Sequence, residues 1–333
     1  MENLSWFSTF GLVKGGMLMD KGVVKKAEKI SDVKKKTKKR NINNTAYLFV
    51  LPFVIVFLLF SVYPVLRTLQ LSFTNFKGYG KAQFIGLTNY SRVIKDKFFW
   101  RALGNTLNMW SVNIIVQLGI ALLLTIVFND IKYKIKGLSI FRAIFYLPNL
   151  IATTSIAFLF KTLLDWRFGT FNQLLRKLKI IDMPIDWLGS IKTAPYVISM
   201  IQAWMWFGNS FILLMAGVQG ISKDYFEAAT IDGAGRWKIF TRITLPLLRP
   251  ILLYVTVTSA IGGIQLFDIP FLIGGGTIGN PNGKLQTAIM YLYKFGFETY
   301  QVGYASAVAY VIFLIILVVS VLQFRLYNRK EAQ

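Results

Sequence analysis

The sequence lacks both cysteine and histidine over its 333 residues. Without cysteine the chain has no disulfide, no thiol nucleophile and no thiolate ligand for a metal. Without histidine it lacks the usual general base and the commonest metal ligand. Catalysis would have to rely on carboxylates, lysine or tyrosine, and the sequence shows no nucleophile–base arrangement of these residues. We therefore predict no catalytic residue and no metal site, and a membrane enzyme is the least favoured function.

Acidic residues are scarce, with 15 Asp and Glu against 38 Lys and Arg. Eleven of the basic residues lie in residues 1–44, densest in the run VKKKTKKR at 33–40. Such a run beside a hydrophobic span is typical of a cytoplasmic flank near anionic lipid rather than of a nucleic-acid-binding arm. The tail also lacks the long apolar core of a cleavable signal peptide. We predict that residues 1–44 form a flexible, basic cytoplasmic tail that binds no nucleic acid.

Long hydrophobic runs dominate the rest of the chain, which is 54% hydrophobic overall. Six of them approach the roughly 17 to 25 residues that a membrane-spanning helix needs. They show no alternation at period two, which excludes spanning strands. We predict an all-α, polytopic membrane domain at 45–328 and a short cytoplasmic C-terminus at 329–333. The six predicted spans are 47–66, 107–128, 143–160, 194–218, 250–267 and 302–324.

The distribution of positive charge predicts the orientation of these spans. The basic tail places the N-terminus in the cytoplasm, and six crossings return the C-terminus to the same side. The second–third connection is then cytoplasmic, as is the fourth–fifth connection. The basic residues of the former are Lys132, Lys134, Lys136 and Arg142, whereas the outer connections also contain Lys77, Lys81, Arg176 and Lys177. The chain would lie in the cytoplasmic membrane of a prokaryote.

The fourth–fifth connection, residues 222–246, carries an ordered set of helix signals. Ser222 is a plausible N-cap, and Gly233 after Asp232 can adopt the left-handed conformation that ends a helix. The following RWKIFTRI segment predicts an amphipathic helix that Leu245-Pro246 ends, because proline strains a helix interior. Its apolar face would hold Trp237, Phe240 and Ile243, and its polar face Lys238 and Arg242. Spacing alone also allows a simple juxtamembrane elbow.

The residue identities in this connection resemble the EAA loop of ABC importer permeases. The pattern EAA-x3-G-x9-I-x-L-P is met in full, from Glu227 to Pro246. In that family the loop is a coupling helix that sits in a cleft of the cytoplasmic ATPase. The resemblance implies that Glu227 pairs with a basic group of the ATPase, that Gly233 permits the turn, and that Phe226 and Ile231 fill the cleft. The coupling residues that it implies are Phe226, Glu227, Ala228, Ala229, Ile231, Asp232 and Gly233.

Further segments resemble the sugar-importing branch, similar to the maltose and glycerol-phosphate permeases. They are FIGLTNY at 84–90, NTL at 105–107, AGVQGI at 216–221, FD at 267–268 with GGG at 274–276, and GYASA at 303–307. The proline that follows the glycines in the family is missing from this sequence. The resemblance covers residues 45–328 and implies the type I ABC importer permease fold. The small residues of the GYASA run, apart from that resemblance, predict close helix packing.

The chain shows no energy source of its own. The nearest match to a phosphate-binding loop, GNPNGKL at 279–285, has one residue too few between its glycines and a leucine where Ser or Thr is needed. The resemblance instead implies a transport subunit that binds no cofactor and is driven by partners. Those partners are a second homologous permease, two ABC ATPase subunits that hold ATP and Mg²⁺, and an extracytoplasmic solute-binding protein.

Polar side chains inside the spans are candidates for the substrate pathway, since they are costly in a membrane. We select Trp206 and Asn209 in the fourth span, and Gln265 and Asp268 at a predicted break in the fifth. The break is tolerated only where it is buried or lines a cavity. The plainer interpretation is hydrogen bonding between helices and aromatic anchoring at the membrane interface.

The sequence therefore favours a permease for a sugar, with aromatic content indicating an oligosaccharide. Two alternatives stay open. One is an ABC permease for a peptide, phosphate or another non-sugar solute, which would share the EAA loop. The other is a stand-alone secondary transporter, which is less favoured because the spans show no inverted repeat and few charges.

Overall fold

The computed structural model describes residues 44–128 and 137–328. The predictions for the basic tail up to residue 43, for Lys132, Lys134 and Lys136, and for residues 329–333 fall outside these ranges. The chain divides into two compact units, residues 1–63 and 64–333, and each is described by itself.

The first unit contributes one helical segment to the described chain. Helix α1 (Asn44–Phe57) is followed directly by a π-helical turn (Leu58–Val62). Its apolar side chains are exposed along their length, and the rings of Phe53 and Phe57 stack with centroids 6.2 Å apart. A helix that is apolar on all sides and exposed suits a lipid environment. Helical structure continues as a candidate span over Tyr47–Ser72, six residues beyond the predicted end at 66.

The regular secondary structure in the described residues of the second unit is helical, apart from one isolated antiparallel bridge between Thr74 and Phe84. Two further π-helical turns, Phe240–Thr244 and Lys294–Glu298, interrupt it. Its helices are α2 (Tyr63–Ser72), α3 (Thr88–Lys95), α4 (Lys97–Phe128), α5 (Leu138–Leu150), α6 (Thr153–Leu163), α7 (Thr170–Lys177), α8 (Ala194–Gln219), α9 (Lys223–Ile231), α10 (Arg236–Ile239), α11 (Leu245–Leu247), α12 (Arg249–Ile264), α13 (Asp268–Ile273), α14 (Ala288–Tyr293) and α15 (Val302–Asn328).

Five helical stretches of the described chain are long and apolar enough to cross a membrane, and a bent pair raises the number to six. The bent pair is α5 with α6, which meet at 89°. The third predicted span, 143–160, is therefore not one straight helix. The physical reason lies at Ile151 and Ala152, whose ψ angles of 137° and 130° are extended rather than helical.

Helix α8 is the centre of the second unit, since more than half of its most apolar window is buried. It packs closely against α5 because Gly208 has no side chain: a Cβ there would lie 1.8 Å from the carbonyl oxygen of Phe145. Aromatic rings surround this crossing, with Phe128, Phe145 and Phe211 in mutual edge-to-face contact. Edge-to-face pairs of this kind stabilise a packed core beyond their buried area.

The FIGLTNY segment has a structural role at the start of α3. The buried side chain of Asn89 donates hydrogen bonds to the backbone carbonyls of Ser72 and Thr74, at 2.9 and 2.8 Å. The hydroxyls of Tyr90 and Ser72 are 2.7 Å apart. These bonds satisfy carbonyls that the end of α2 would otherwise leave unpaired.

The predicted close packing of the GYASA run is confirmed. A Cβ on Gly303 would lie 2.1 Å from the carbonyl oxygen of Thr74, so only glycine fits. Tyr304, Ala305 and Ala307 are buried in a core cluster or beside it. Small residues let the start of α15 approach its neighbours at backbone distance.

Candidate substrate cavity and coupling loop

A cavity of about 250 Å³ lies between α4, α8 and α12, at the break between α12 and α13. Its walls combine aromatic rings with hydroxyl and amide side chains. The polar and aromatic lining residues are Trp110, Asn113, Gln117, Thr153, Gln202, Trp206, Asn209, Ser210, Thr258, Ser259, Gln265, Phe267 and Asp268. The described residues that line it include no lysine or arginine.

All four side chains selected from the sequence line this one cavity, although they come from two separate predicted spans. Trp206 and Asn209 lie on α8. Gln265 caps the C-terminus of α12, and Asp268 begins α13, so the predicted break in the fifth span is confirmed. At this break the side chains of Gln265 and Asp268 line the same cavity as Trp206 and Asn209. Irregular backbone at membrane depth is expected where it lines a cavity.

Several lining residues are not among those predicted from the sequence. Gln117 donates a 2.7 Å hydrogen bond to Ser210, and Trp110 donates a 3.3 Å bond to Ser259. The side-chain carbonyl oxygen of Asn113 is buried and has no hydrogen-bond partner among the described residues. An amide inside the apolar run 107–128 is a signal that the sequence does contain. The sequence of α4 alone does not predict that Gln117 pairs with α8 and Trp110 with α12.

Two adjacent glycines shape the cavity in different ways. A Cβ on Gly263 would lie 1.9 Å from the indole ring of Trp110, so this glycine allows the ring to pack against α12. A Cβ on Gly262 would meet nothing within 4 Å, and Gly262 lines the cavity. The first glycine is therefore a packing position, and the second faces open space.

The lining suits a ligand that hydrogen-bonds through several neutral groups. Amide and hydroxyl side chains both donate and accept, and Asp268 adds an acceptor. Trp110 and Trp206 offer flat apolar faces next to these polar groups. Pockets built in this way use apolar contact for affinity and a few polar groups for orientation. No group of three Asp or Glu side chains suited to a metal occurs in the described residues.

The helix signals of residues 222–233 are confirmed. Ser222 is the N-cap of α9, and its hydroxyl accepts a 3.3 Å hydrogen bond from the backbone N–H of Asp224. The helix ends at Ile231 with Asp232 as its C-cap. Gly233 follows with φ of +71°, the left-handed conformation that a glycine adopts without strain.

The prediction that Leu245-Pro246 ends the second helix is wrong. Helical backbone continues from Arg236 through the π-helical turn Phe240–Thr244 and on to Leu247. The N–H of Leu245 bonds the carbonyl of Phe240, and the N–H of Leu248 bonds that of Thr244. The wider turn and the position of Pro246 in the first turn of α11 let the chain accommodate the missing N–H. The ring centroids of Trp237 and Phe240 lie 6.1 Å apart, as expected for one apolar face, and within it Phe240 is buried whereas Trp237 is exposed.

The exposed surface of α9 is the part of this loop that a partner could reach. Ile231 is 87% exposed, and Tyr225 and the Glu227 side chain are exposed as well. Phe226 differs from expectation, because it is only 5% exposed and packs inside this chain. In this conformation Phe226 therefore packs α9 against the rest of this chain, and Ile231 is the apolar side chain that a partner can contact.

Comparison with known proteins agrees with this geometry. The family model described as binding-protein-dependent transport system inner membrane component matches residues 109–331. The lactose transport system permease protein LacF of Rhizobium radiobacter is 35% identical, over 86% of this chain and 95% of its own. The arabinooligosaccharides permease AraP of Bacillus subtilis is 32% identical, over 84% and 87%. The trehalose/maltose permease MalF of Thermococcus litoralis is 30% identical, over 81% and 89%.

The fold is also found among solved structures. A chain of a bacterial ABC transporter involved in the import of the acidic polysaccharide alginate superposes with a TM-score of 0.75 at 23% identity. The match covers 89% of this chain and 99% of that chain. The chain is thus a membrane transport subunit with the fold of an ABC importer permease, and it belongs to the family of binding-protein-dependent transport system inner membrane components.

Proposed function

We propose that this chain is the permease through which an ATP-driven importer moves a sugar of oligosaccharide size across the cytoplasmic membrane. The observation that carries the proposal is the single cavity lined by Trp206, Asn209, Gln265 and Asp268. Relatives named for lactose, arabino-oligosaccharide and trehalose/maltose transport support a sugar as substrate.

The cavity would hold the sugar by two kinds of contact. The amide and hydroxyl groups of Asn113, Gln202, Asn209 and Gln265 would hydrogen-bond the sugar hydroxyls. The indole face of Trp206 would cover the apolar face of a pyranose ring, as aromatic rings do for flat, partly apolar ligands. The unpartnered carbonyl oxygen of Asn113 can accept from a sugar hydroxyl without breaking a bond in the protein.

Transport energy would enter through α9. The exposed Ile231 side chain would insert into a cleft of the ATPase, and the exposed Glu227 carboxylate would pair with a basic group there. Gly233 holds the turn that presents both residues. ATP and Mg²⁺ would be bound by the two ATPase subunits, so this chain needs no cofactor.

The remaining partners follow from the same scheme. A second homologous permease would complete the pathway, and an extracytoplasmic solute-binding protein would deliver the sugar. The loop 222–246 and both termini would then face the cytoplasm. This orientation fits the basic residue Arg325 near the end of α15.

The experiment that tests this function is uptake of labelled sugars by the importer reconstituted in vesicles with its ATPase, second permease and binding protein. We expect ATP-dependent uptake of an oligosaccharide, and we expect Gly262→Leu to abolish it by filling the cavity. Gly119→Leu is the matched control, since a Cβ at Gly119 also meets nothing within 4 Å and this glycine does not line the cavity. Uptake of a non-sugar solute alone, or uptake driven by an ion gradient without ATP, would overturn the proposal.

A further inference from the structure

A second, larger groove lies at the N-terminal end of α8, the end opposite to the loop 222–246. Its walls are almost entirely apolar. It has a volume of about 780 Å³ and is formed by α6, α7 and the first half of α8. The residues that line it are Phe160, Leu163, Leu164, Thr170, Phe171, Leu174, Trp187, Thr193, Tyr196, Val197, Met200, Ile201 and Trp204. Such a surface in a membrane protein is suited to a hydrocarbon chain rather than to a sugar.

The length of the groove matches one leaflet of a bilayer. Along α8 it extends from Tyr196 to Trp204, which is roughly 12 Å at 1.5 Å per residue. Half of a hydrocarbon core of about 30 Å is about 15 Å. Trp187 and Tyr196 lie at the end nearest the start of α8, where an aromatic ring is expected to meet the lipid head groups.

A basic cleft adjoins the groove at this same end. The cleft has a volume of about 650 Å³, and three cations line it: Arg101, Lys192 and Lys284. Tyr196 lines both the groove and the cleft, and Thr193 of the groove follows Lys192 of the cleft in sequence. The other polar residues of the cleft are Asn105 and Asn108, and no acidic residue lines it within the described chain.

The base of the cleft is fixed by hydrogen bonds to the loop before α14. The guanidinium of Arg101 donates to the carbonyl of Asn282. The Asn105 side chain donates to the carbonyls of Gly283 and Gln286, at 2.8 and 3.1 Å. These bonds hold a helix and a loop around the cleft, so the positive charge is concentrated in a preformed space.

The acidic residues of the segment 161–192 line neither the groove nor the cleft. The carboxylate of Asp165 accepts from the backbone N–H groups of Arg167 and Phe168, and that of Asp186 accepts from Gly189. Asp182 is exposed in the loop after α7. Residues 161–192 hold six Lys and Arg against these three Asp, which leaves a positive surface beside an apolar groove.

We propose that the groove and the cleft together bind one anionic phospholipid, with an acyl chain along α8 and the phosphate between Lys192, Lys284 and Arg101. An apolar channel that spans one leaflet and ends at three cations complements a phospholipid at both ends. A zwitterionic lipid would bring a cationic head group to these three cations as well as its phosphate, so the cleft favours a lipid with a net negative charge. A protein partner would need to offer an apolar ridge and an acidic group at this same spacing.

The test is photocrosslinking of the complete importer in vesicles that contain a phosphatidylglycerol or a phosphatidylcholine with a photoreactive acyl chain. We expect phosphatidylglycerol to label the peptide around Met200 more strongly. Lys192→Gln with Lys284→Gln should lower this labelling about twenty-five-fold, since each of the two basic residues near an anionic surface strengthens the attraction roughly fivefold. The matched control is Lys77→Gln with Lys81→Gln, which removes the same charge from two exposed lysines outside the cleft.

Equal labelling by both lipids, or unchanged labelling in the Lys192 and Lys284 double variant, would overturn the proposal. Occupation of the groove by another protein in place of a lipid would also overturn the proposal. Because the chain has no cysteine, Met200→Cys gives a unique thiol for this measurement. Efficient crosslinking of that thiol to the second permease, with no lipid label, would show that the groove is a subunit interface. The lipid proposal does not depend on the nature of the transported solute.

Discussion

The side-chain amide of Gln117 on α4 donates a 2.7 Å hydrogen bond to the hydroxyl of Ser210 on α8. Both residues are buried, and both line the cavity. The bond therefore joins two helices of the cavity wall, and Asn209, the neighbour of Ser210 in sequence, also lines the cavity. A polar pair at this position does two things: it holds the helices in register and leaves the neighbouring polar groups free to face the cavity.

Breaking this pair tests whether it stabilises the helix crossing. Gln117→Ala and Ser210→Ala should each lower stability, and the double-mutant cycle should give a coupling energy of about 0.6 kcal/mol, up to about 1.7 kcal/mol, as for other hydrogen bonds between membrane helices. Unfolding of the purified chain in mixed micelles measures it. Strictly additive effects of the two substitutions would show that the bond contributes nothing.

We expect ATP-driven uptake to require Gly233 because of its left-handed backbone conformation. Gly233→Ala places a side chain at φ of +71°, which costs about 1 to 2 kcal/mol for an ordinary residue. We expect normal membrane levels but reduced ATP-driven uptake, because the end of α9 would be displaced. Gly235→Ala is the matched control, because its φ is −71° and its Cβ has open space. Equal uptake by the two variants would show that the left-handed backbone at Gly233 is not what coupling requires.

The two glycines of α12 should respond differently to one methyl group. Gly263→Ala forces the Trp110 ring or the helix to move, and overpacking of this kind costs about 1 to 3 kcal/mol. Gly262→Ala meets open space within α12 and should raise stability by up to about 1 kcal/mol, because alanine is the better helix former. Thermal unfolding of both variants in the same detergent distinguishes them. A more damaging Gly262→Ala would show that the packing at Trp110 is not as described.

Asp96 predicts an acid-sensitive step in stability. Its carboxylate accepts hydrogen bonds from the hydroxyl of Tyr291 at 2.5 Å and from the backbone N–H of Phe98 at 2.8 Å. Burial acts to raise the pKa of Asp96, but the hydrogen bonds outweigh it, and the pKa lies below its ordinary value of 3.8. Burial and the bond to Asp96 conversely raise the pKa of the Tyr291 hydroxyl.

The sign of the pH dependence follows from the lowered pKa. The stabilisation by ionised Asp96 is fully present above the ordinary pKa of 3.8 and is lost as the pH falls through the lower folded-state value. Asp96→Asn should therefore be less stable than the unsubstituted chain at neutral pH, with the difference shrinking below about pH 4. Melting temperatures measured across this range check the prediction. A difference that is constant with pH would assign the effect to packing alone.

The sequence contains the local features of the structure more completely than the long-range ones. The cap at Ser222, the turn at Gly233 and the break around Gln265 depend on a few neighbouring residues, so their chemistry is readable in one window. The burial of Phe226 and the extended backbone at Ile151 and Ala152 have no such local signal. The π-helical turn before Pro246 likewise has no signal in one window, and two of its residues, Phe240 and Thr244, are buried.

For the candidate cavity, too, the sequence predicts local features and not the long-range placement of helices. Asn209, Gln265 and Asp268 are candidates for the substrate pathway because polar groups are costly in apolar spans. Their convergence on one space required the relative placement of α4, α8 and α12. Asn113 and Gln117 satisfy the same criterion within the second span, so the rule could have found them. Their hydrogen-bonding states, one paired with Ser210 and one without a partner in the described chain, come only from the structure.

ATP-driven sugar uptake by the reconstituted importer with Ile231→Ser, against Ile180→Ser, is the decisive measurement. Both isoleucines are exposed, at 87% and 64%, but only Ile231 lies at the end of α9. We predict that Ile231→Ser lowers uptake about tenfold at an unchanged amount of protein in the membrane, as expected for an apolar anchor that contributes about 1.4 kcal/mol or more to an interface. Ile180→Ser should transport normally. Full ATP-driven uptake by Ile231→Ser would contradict the proposal that α9 couples this permease to its ATPase.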